Sequence, residues 1–263
     1  VTIDGHTKII GIFGWPLTYT KSPAFQNAGL NEMGLNAVYL PFPVTEGDFP
    51  SLWRTLSKLP NFLGANVTNP HKRAAFRLAD RLSPEAKAIG AVNTLFRRGR
   101  SWVGHNTDAA GFLAALPQSP KGRRAIVFGS GGTARALAYA LLKSGASRVD
   151  IACRRPSQGR ALLKSLKANP RTSTVRALGK EGLASLLAGV EFSINTVPSP
   201  AFAQSLSRAL KSAKGLRVSF DANYSRSPYG LAMLLAQGCL SLECWTGKKA
   251  PQRIMRSALR RAP

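Results

Sequence analysis

Acidic residues are scarce in this chain: 12 Asp and Glu stand against 37 Lys and Arg in 263 residues, a formal charge of +25. Such an imbalance raises nucleic acid as a partner, because clustered basic charge is the electrostatic footprint of phosphate binding. The excess is dispersed in pairs (Arg97/Arg98, Arg123/Arg124, Arg154/Arg155, Lys248/Lys249, Arg260/Arg261), with no continuous basic run and no interleaved aromatic platform. The expectation is therefore a basic surface that aids solubility and attracts small anions, with no specific nucleic-acid site. Cysteine and histidine are equally sparse, three each, and they lack metal-ligand spacing, which argues against a disulfide framework and a zinc site. No apolar run approaches the roughly 18–20 residues of a membrane span. The opening Val1–Lys8 carries no apolar signal core, so a reducing cytoplasmic setting and no membrane partner are expected. There are no internal repeats and no low-complexity linker.

What the chain does have is alternation. Lys8–Gly14 is an apolar run stopped by Gly-Trp-Pro and reads as a buried strand. Ser22-Pro23 supplies an N-cap residue and a first-turn proline for a helix to about Met33. Ala37–Val44 and Phe62–Val67 read as strands; Phe49–Leu59 and His71–Leu82 read as helices. Strand–helix alternation of this kind implies an α/β fold with a mostly parallel sheet covered on both faces. A second unit begins near residue 122, with strands at Arg124–Phe128, Arg148–Cys153, Glu191–Asn195 and Leu216–Asp221. Helices at Ala134–Ser144, Ser157–Ala168 and Phe202–Lys211 complete a nucleotide-binding βαβαβ run. The join lies within the helix opened by Asp108 and the Pro-rich stretch Pro117–Pro120.

Between the first strand and helix of that second run stands Gly129-Ser130-Gly131-Gly132-Thr133-Ala134. Its spacing is that of a dinucleotide loop with alanine at the third small position, and strand before and helix after are the context such a loop needs to face a pyrophosphate. About 20 residues on, an NAD-selective site places an acid at the end of the next strand. Here that end carries Arg154 and Arg155, whose forked donors suit a 2′-phosphate, while Asp150 lies in mid-strand. NADP is the expected cofactor.

Three strings in the first half are rich in amides, hydroxyls and charge where a core would gain nothing from them: Asn66-Val-Thr68-Asn-Pro-His-Lys72, Gly90-Ala-Val-Asn93-Thr94 and Asn106-Thr-Asp108. Together they offer what a polyhydroxylated acid requires, groups to hold alcohols and a Lys/Asp pair to move a proton. With Thr20-Lys-Ser22-Pro23 and Gly230-Leu-Ala-Met233-Leu-Leu-Ala-Gln237, they run in order along nearly the whole chain and resemble the shikimate dehydrogenase family. The resemblance implies an N-terminal α/β substrate domain (1–108), a Rossmann-like NADP-binding domain (109–228) and C-terminal helices returning to the substrate domain (229–263). It implies Lys72 and Asp108 as the catalytic pair, and Thr20 and Ser22 as carboxylate ligands. Thr68, Asn93, Tyr224 and Gln237 would complete the substrate set, and Met233 would lie against the nicotinamide. Met233 and Gln237, four apart on a helix, share a face. Gly247 is a plausible C′ residue for that helix.

Three features depart from the family pattern. Tyr19 replaces a usual histidine, Asn195-Thr196-Val-Pro-Ser-Pro lacks a following Gly-Met, and Gly230 comes only six residues after Tyr224, where the family places a helix and a short strand. The activity implied is reversible NADP-dependent reduction of 3-dehydroshikimate to shikimate, by a monomer or homodimer. The alternatives are a quinate/shikimate dehydrogenase using NAD or both cofactors, and a catalytically degenerate basic binding protein.

Overall fold

The structure, a computed structural model, describes residues 3–223 and 228–262. It divides into two compact units: Val1–Thr107 with Leu234–Pro263, and Asp108–Met233.

The first unit contains β1 (Lys8–Gly14), α1 (Ser22–Glu32), β2 (Ala37–Pro43), α2 (Phe49–Leu56), β3 (Phe62–Val67), α3 (Lys72–Leu78), β4 (Arg81–Leu82), α4 (Pro84–Ile89), β5 (Thr94–Arg98) and β6 (Ser101–His105). Its six strands lie in the order β2-β1-β3-β5-β6-β4. The β2-β1-β3 half is parallel, and β5 and β6 form an antiparallel hairpin beside β3. The central strands β1 and β3 are almost wholly buried, which is why both read as near-continuous apolar runs. On one face Phe13, Phe49, Trp53, Phe62 and Trp102 form an aromatic cluster, with Trp53 edge-on to Trp102 at 4.9 Å.

Two local expectations fail here. The helix expected over His71–Leu82 stops at Leu78, because Ala79 turns extended (ψ 137°) and the Asp80 carboxylate accepts from the Trp102 backbone N–H at 2.7 Å. That bond fastens the segment to the hairpin and lets Arg81–Leu82 pair with β6 instead of continuing a helix. Ser22 is not the N-cap of α1: Lys21 occupies that position without a side-chain cap, and the Ser22 hydroxyl bonds Tyr39 instead.

The second unit contains α5 (Asp108–Ala115), β7 (Arg124–Phe128), α6 (Gly132–Lys143), β8 (Arg148–Cys153), α7 (Pro156–Ser165), β9 (Val175–Ala177), α8 (Leu183–Leu187), β10 (Phe192–Asn195), α9 (Pro200–Leu210) and β11 (Val218–Asp221). Its all-parallel sheet has the order β11-β10-β7-β8-β9. The first strand is central and the order reverses on either side of it, so the switch point of a doubly wound sheet falls between β7 and β10. Ile126, Phe128, Ala152 and Leu206 anchor its core.

The helix α10 (Pro228–Thr246) is followed by α11 (Gln252–Arg261). Gly247, at φ +68°, ends α10 with its N–H on the Glu243 carbonyl at 2.8 Å. The five residues Gly238–Leu242 of α10 are well placed to pack: Gln26 of α1 donates to the Gly238 carbonyl at 3.0 Å, and Cys239 meets Met255 of α11.

Candidate active site

In the first unit the carboxyl ends of β1 and β3 lie side by side. Thr68 N–H donates to Phe13 O at 2.8 Å and Trp15 N–H to Asn69 O at 3.0 Å. Gly14 leaves room for the threonine; a Cβ there would sit 2.4 Å from Thr68 Cγ2. Thr68 is half-buried, and four residues later the chain enters α3, with Lys72 as its first residue.

Lys72 is only 7% exposed. A cation at the first position of a helix opposes the macrodipole, and burying it adds a desolvation cost. A local rule broken twice at one residue makes that residue a candidate functional group. Its neighbour His71 does not compete for that role. Burial lowers its pKa, its ring stacks on Phe49 at 4.6 Å, and as a neutral imidazole it donates from Nε2 to Val44 O at 2.8 Å. His71 thus clamps the turn that presents Lys72. The Val92 N–H donates to the Lys72 carbonyl at 2.9 Å, which pins the Gly90–Thr94 segment alongside.

That segment enters a buried polar network. Asn93 Nδ2 donates to Thr107 Oγ1 at 2.9 Å and to Gln237 Oε1 at 3.3 Å, while its Oδ1 accepts from Thr107 N–H at 2.8 Å. Asn66 Nδ2 donates to Asn93 O at 3.1 Å and Ser241 Oγ at 2.9 Å, and its Oδ1 accepts from Tyr39 OH at 2.8 Å. Ser241 lies 2.8 Å from Thr94 Oγ1. Complete burial raises the Tyr39 pKa far above its usual value, opposed by the Ser22 hydrogen bond, so the phenol stays a neutral donor. Ser22, Asn93 and Gln237 are therefore tied together through Tyr39, Asn66 and Ser241. Thr20, also half-buried, accepts a long bond (3.4 Å) from Ser22 N–H.

Tyr39, Asn66, Thr94, Thr107 and Ser241 were not singled out from the sequence as site residues. One signal was there: Ser241 follows Gln237 by four on α10 and so shares its face. Asn66, Thr94 and Thr107 stand within the three polar strings but were given no role there, and Tyr39 is brought in by strand register, which short motifs do not carry. Asp108, the residue after Thr107, opens α5 and is buried in the second unit, to which Met233 also belongs. Tyr224 lies outside the described residues.

In the second unit the glycine loop runs from the end of β7 into α6. Gly129 sits at φ +114°, and a Cβ there would meet Thr196 Oγ1 at 2.3 Å, while one on Gly131, the N-cap of α6, would meet nothing within 4 Å. Space above the loop and free helix-start geometry are what a pyrophosphate needs. Ala134 is fully buried, as close helix–strand packing requires, and Thr133 stands in the first turn of the helix. Arg154 and Arg155 follow β8 and are exposed. With its amide oxygen turned to Arg155, Gln158 accepts from that guanidinium at 3.2 and 3.3 Å and donates to Ser130 Oγ at 3.1 Å, bridging arginine and loop. Asp150, the only carboxylate on β8, is committed to Arg148 Nε at 3.0 Å and Thr174 Oγ1 at 2.7 Å. These residues fit NADP: the loop for its pyrophosphate, the arginines for a 2′-phosphate.

Comparison with known proteins agrees. A family model described as the shikimate dehydrogenase substrate binding domain matches residues 12–95, and one described as the shikimate 5′-dehydrogenase C-terminal domain matches residues 230–260. The chain is similar to the shikimate dehydrogenase (NADP(+)) of Carboxydothermus hydrogenoformans, at 36% identity with 98% of each chain covered. Among solved structures it resembles shikimate 5-dehydrogenase from Listeria monocytogenes in complex with shikimate and NAD, with a TM-score of 0.82, 25% identity and 98% of each chain covered. It also resembles the Thermus thermophilus enzyme in complex with NADP(H) and shikimate, with a TM-score of 0.74, 30% identity, and 98% of this chain and 100% of that one covered.

Proposed function

The chain belongs to the shikimate dehydrogenase family, and we propose that it catalyses the reversible NADP-dependent reduction of 3-dehydroshikimate to shikimate, the step this family supplies to aromatic amino-acid biosynthesis. The observation that carries the reading is the pairing, in one unit, of buried Lys72 with the hydroxyl and amide network that links Ser22, Asn93 and Gln237. A ring bearing several alcohols and one carboxylate needs such a set of neutral donors and acceptors with a single cation.

In this mechanism Thr20 and Ser22 hold the substrate carboxylate, and Thr68, Asn93 and Gln237 hold ring hydroxyls. NADPH, when bound, supplies the hydride. Lys72 delivers a proton to the carbonyl oxygen as it gains negative charge, and Asp108 is its partner carboxylate. In the reverse direction Lys72 takes the proton from the alcohol. The glycine loop Gly129–Ala134 and the pair Arg154/Arg155 hold the dinucleotide, and Met233 lines the nicotinamide side. Arg155 favours NADP over NAD, since the acid that would bind a free ribose 2′-hydroxyl is absent and Asp150 is already paired.

The test is NADPH oxidation by the purified chain with 3-dehydroshikimate, run beside quinate with NAD. Turnover with NADPH and 3-dehydroshikimate is expected. Turnover confined to quinate and NAD would replace the reading with the quinate alternative, and none with either pair would overturn it.

A further inference from the structure

We propose that a pocket on the first unit, edged by Arg81, Arg98 and His105 and floored by Phe96 and Val103, binds a small flat aromatic carboxylate. None of these residues is among those assigned to substrate or cofactor, and the proposal does not rest on the activity above.

The pocket follows from register. Arg81 pairs with Val103 across β4 and β6, and Val103 pairs with Phe96 across β6 and β5. Alternate residues of a strand share a face, so Phe96 and Arg98 of β5, Val103 and His105 of β6, and Arg81 all project to one side. Cys244 of α10 closes that side, two helical turns beyond Gln237. The pocket is open to solvent on one side and has a volume of about 390 Å³, enough for one substituted ring.

The lining is one-sided in its chemistry. Among the described residues, neither the Arg81 nor the Arg98 guanidinium has a hydrogen-bond or ion-pair partner, although the other unit's Arg123, Arg148, Arg176 and Arg217 all do. Ser83 Oγ accepts from Ala86 N–H at 3.1 Å and lies 2.7 Å from His105 Nδ1. Burial, opposed by the nearby Glu85 charge, lowers the His105 pKa, so the ring adds no fixed positive charge of its own near neutrality. The closest carboxylate, Glu85, lies 3.9 Å from Nδ1 and does not line the pocket. Two guanidinium forks, with no carboxylate among the lining residues, call for an anion. Phe96, Val103 and Leu82 give that anion an apolar bed, which a bare inorganic ion would leave unused. A planar carboxylate uses both, through forked charge-assisted bonds at one end and ring burial at the other.

Isothermal titration of the full chain with benzoate, and separately with inorganic phosphate, tests this. One benzoate site is expected, bound more tightly than phosphate, alike in wild type and Lys72→Ala, and weakened about tenfold or more in Arg81→Gln/Arg98→Gln. Because Arg81 and Arg98 are exposed and outside the catalytic set, that double variant should keep wild-type turnover in the absence of benzoate. Unchanged benzoate binding in the double variant, phosphate binding as tight as benzoate, or no benzoate binding at all would each overturn the proposal. Binding is read directly, so failure of the dehydrogenase assay leaves this result interpretable.

Discussion

Gly129→Ala is the sharpest test of the cofactor loop, because its two penalties have different origins. The first is conformational: at φ +114° an L side chain is strained, typically by about 1–3 kcal/mol. The second is a collision with Thr196. The new Cβ would lie 2.3 Å from Thr196 Oγ1, and that oxygen is held by its bond to Phe128 O at 2.6 Å. Swinging it away forfeits a hydrogen bond of about 0.5–1.5 kcal/mol. Together they predict a loss of about 2–4 kcal/mol, whose middle is about two powers of ten in the unfolding constant. Urea denaturation of wild type, Gly129→Ala, Thr196→Ala and the double variant would separate the two. The double variant should recover the collision share while the conformational share persists, so the two substitutions should be clearly less costly together than their sum. Since Gly129 is assigned to the pyrophosphate, the single variant should also raise KM for NADPH more than KM for 3-dehydroshikimate. A Gly129→Ala loss below about 0.5 kcal/mol, or strict additivity with Thr196→Ala, would refute the reasoning.

Lys72→Ala should lower kcat by about 10²–10⁴ with little change in NADPH affinity, and equal loss of both would refute its assignment to the proton. Replacing Arg154 and Arg155 by alanine should raise KM for NADPH by roughly tenfold or more while leaving NADH nearly unaffected, since charged hydrogen bonds of about 1.5–3 kcal/mol are at stake. Parallel losses for both cofactors would sink the 2′-phosphate role. Glu191 is held below its ordinary pKa of 4.5 chiefly by the Arg124 backbone N–H, with burial opposing and the Arg123 and Arg217 hydrogen bonds adding to the depression. A depressed carboxylate stabilises the fold above its unfolded pKa, and that contribution is lost as pH falls through the folded value. Denaturation midpoints of wild type and Glu191→Gln should therefore differ near neutrality and converge in acid below pH 4.5; a gap that is constant across pH would count against the ion network.

Elements buried on both faces were legible because the sequence had nothing else to satisfy there. Lys8–Gly14, Phe62–Val67, Arg124–Phe128 and Arg148–Cys153 are strands at the bounds expected for them, each an apolar run cut off by a turn or a polar residue. The hairpin β5–β6 was hidden by its own polarity: Arg97, Arg98 and Arg100 surround the turn at Gly99, and exposed strand ends lack the alternation that periodicity reads. β9 is three residues long and half-buried throughout, too short for any pattern. The overlong helix at His71–Leu82 has the same root. A helical run of apolar residues was overridden by one tertiary bond, Asp80 to Trp102, that no local propensity contains.

The site shows the same division more finely. Motif residues that would touch ligand could be named from the sequence, whereas the residues that hold them could not, since Asn66 reaches Ser241 across 175 positions. Two layers result. The inner layer, Tyr39, Asn66, Thr94, Thr107 and Ser241, is buried and bonded among itself, so a substituted member would leave a partner unpaired at a cost of about 1–3 kcal/mol. Of the outer layer, Asn93 and Gln237 meet each other at 3.3 Å, and Gln237 meets the inner layer's Thr107 only at 3.5 Å, both longer than the bonds that tie Asn93 to Thr107. The Asn93–Gln237 contact is the one a ring hydroxyl can replace, one donor and one acceptor exchanged for another, while the shorter bonds from Asn93 to Thr107 keep the amide aimed. A substrate held by Asn93 and Gln237 would bind there with little reorganisation, because the buried bonds of the inner layer already fix those side chains.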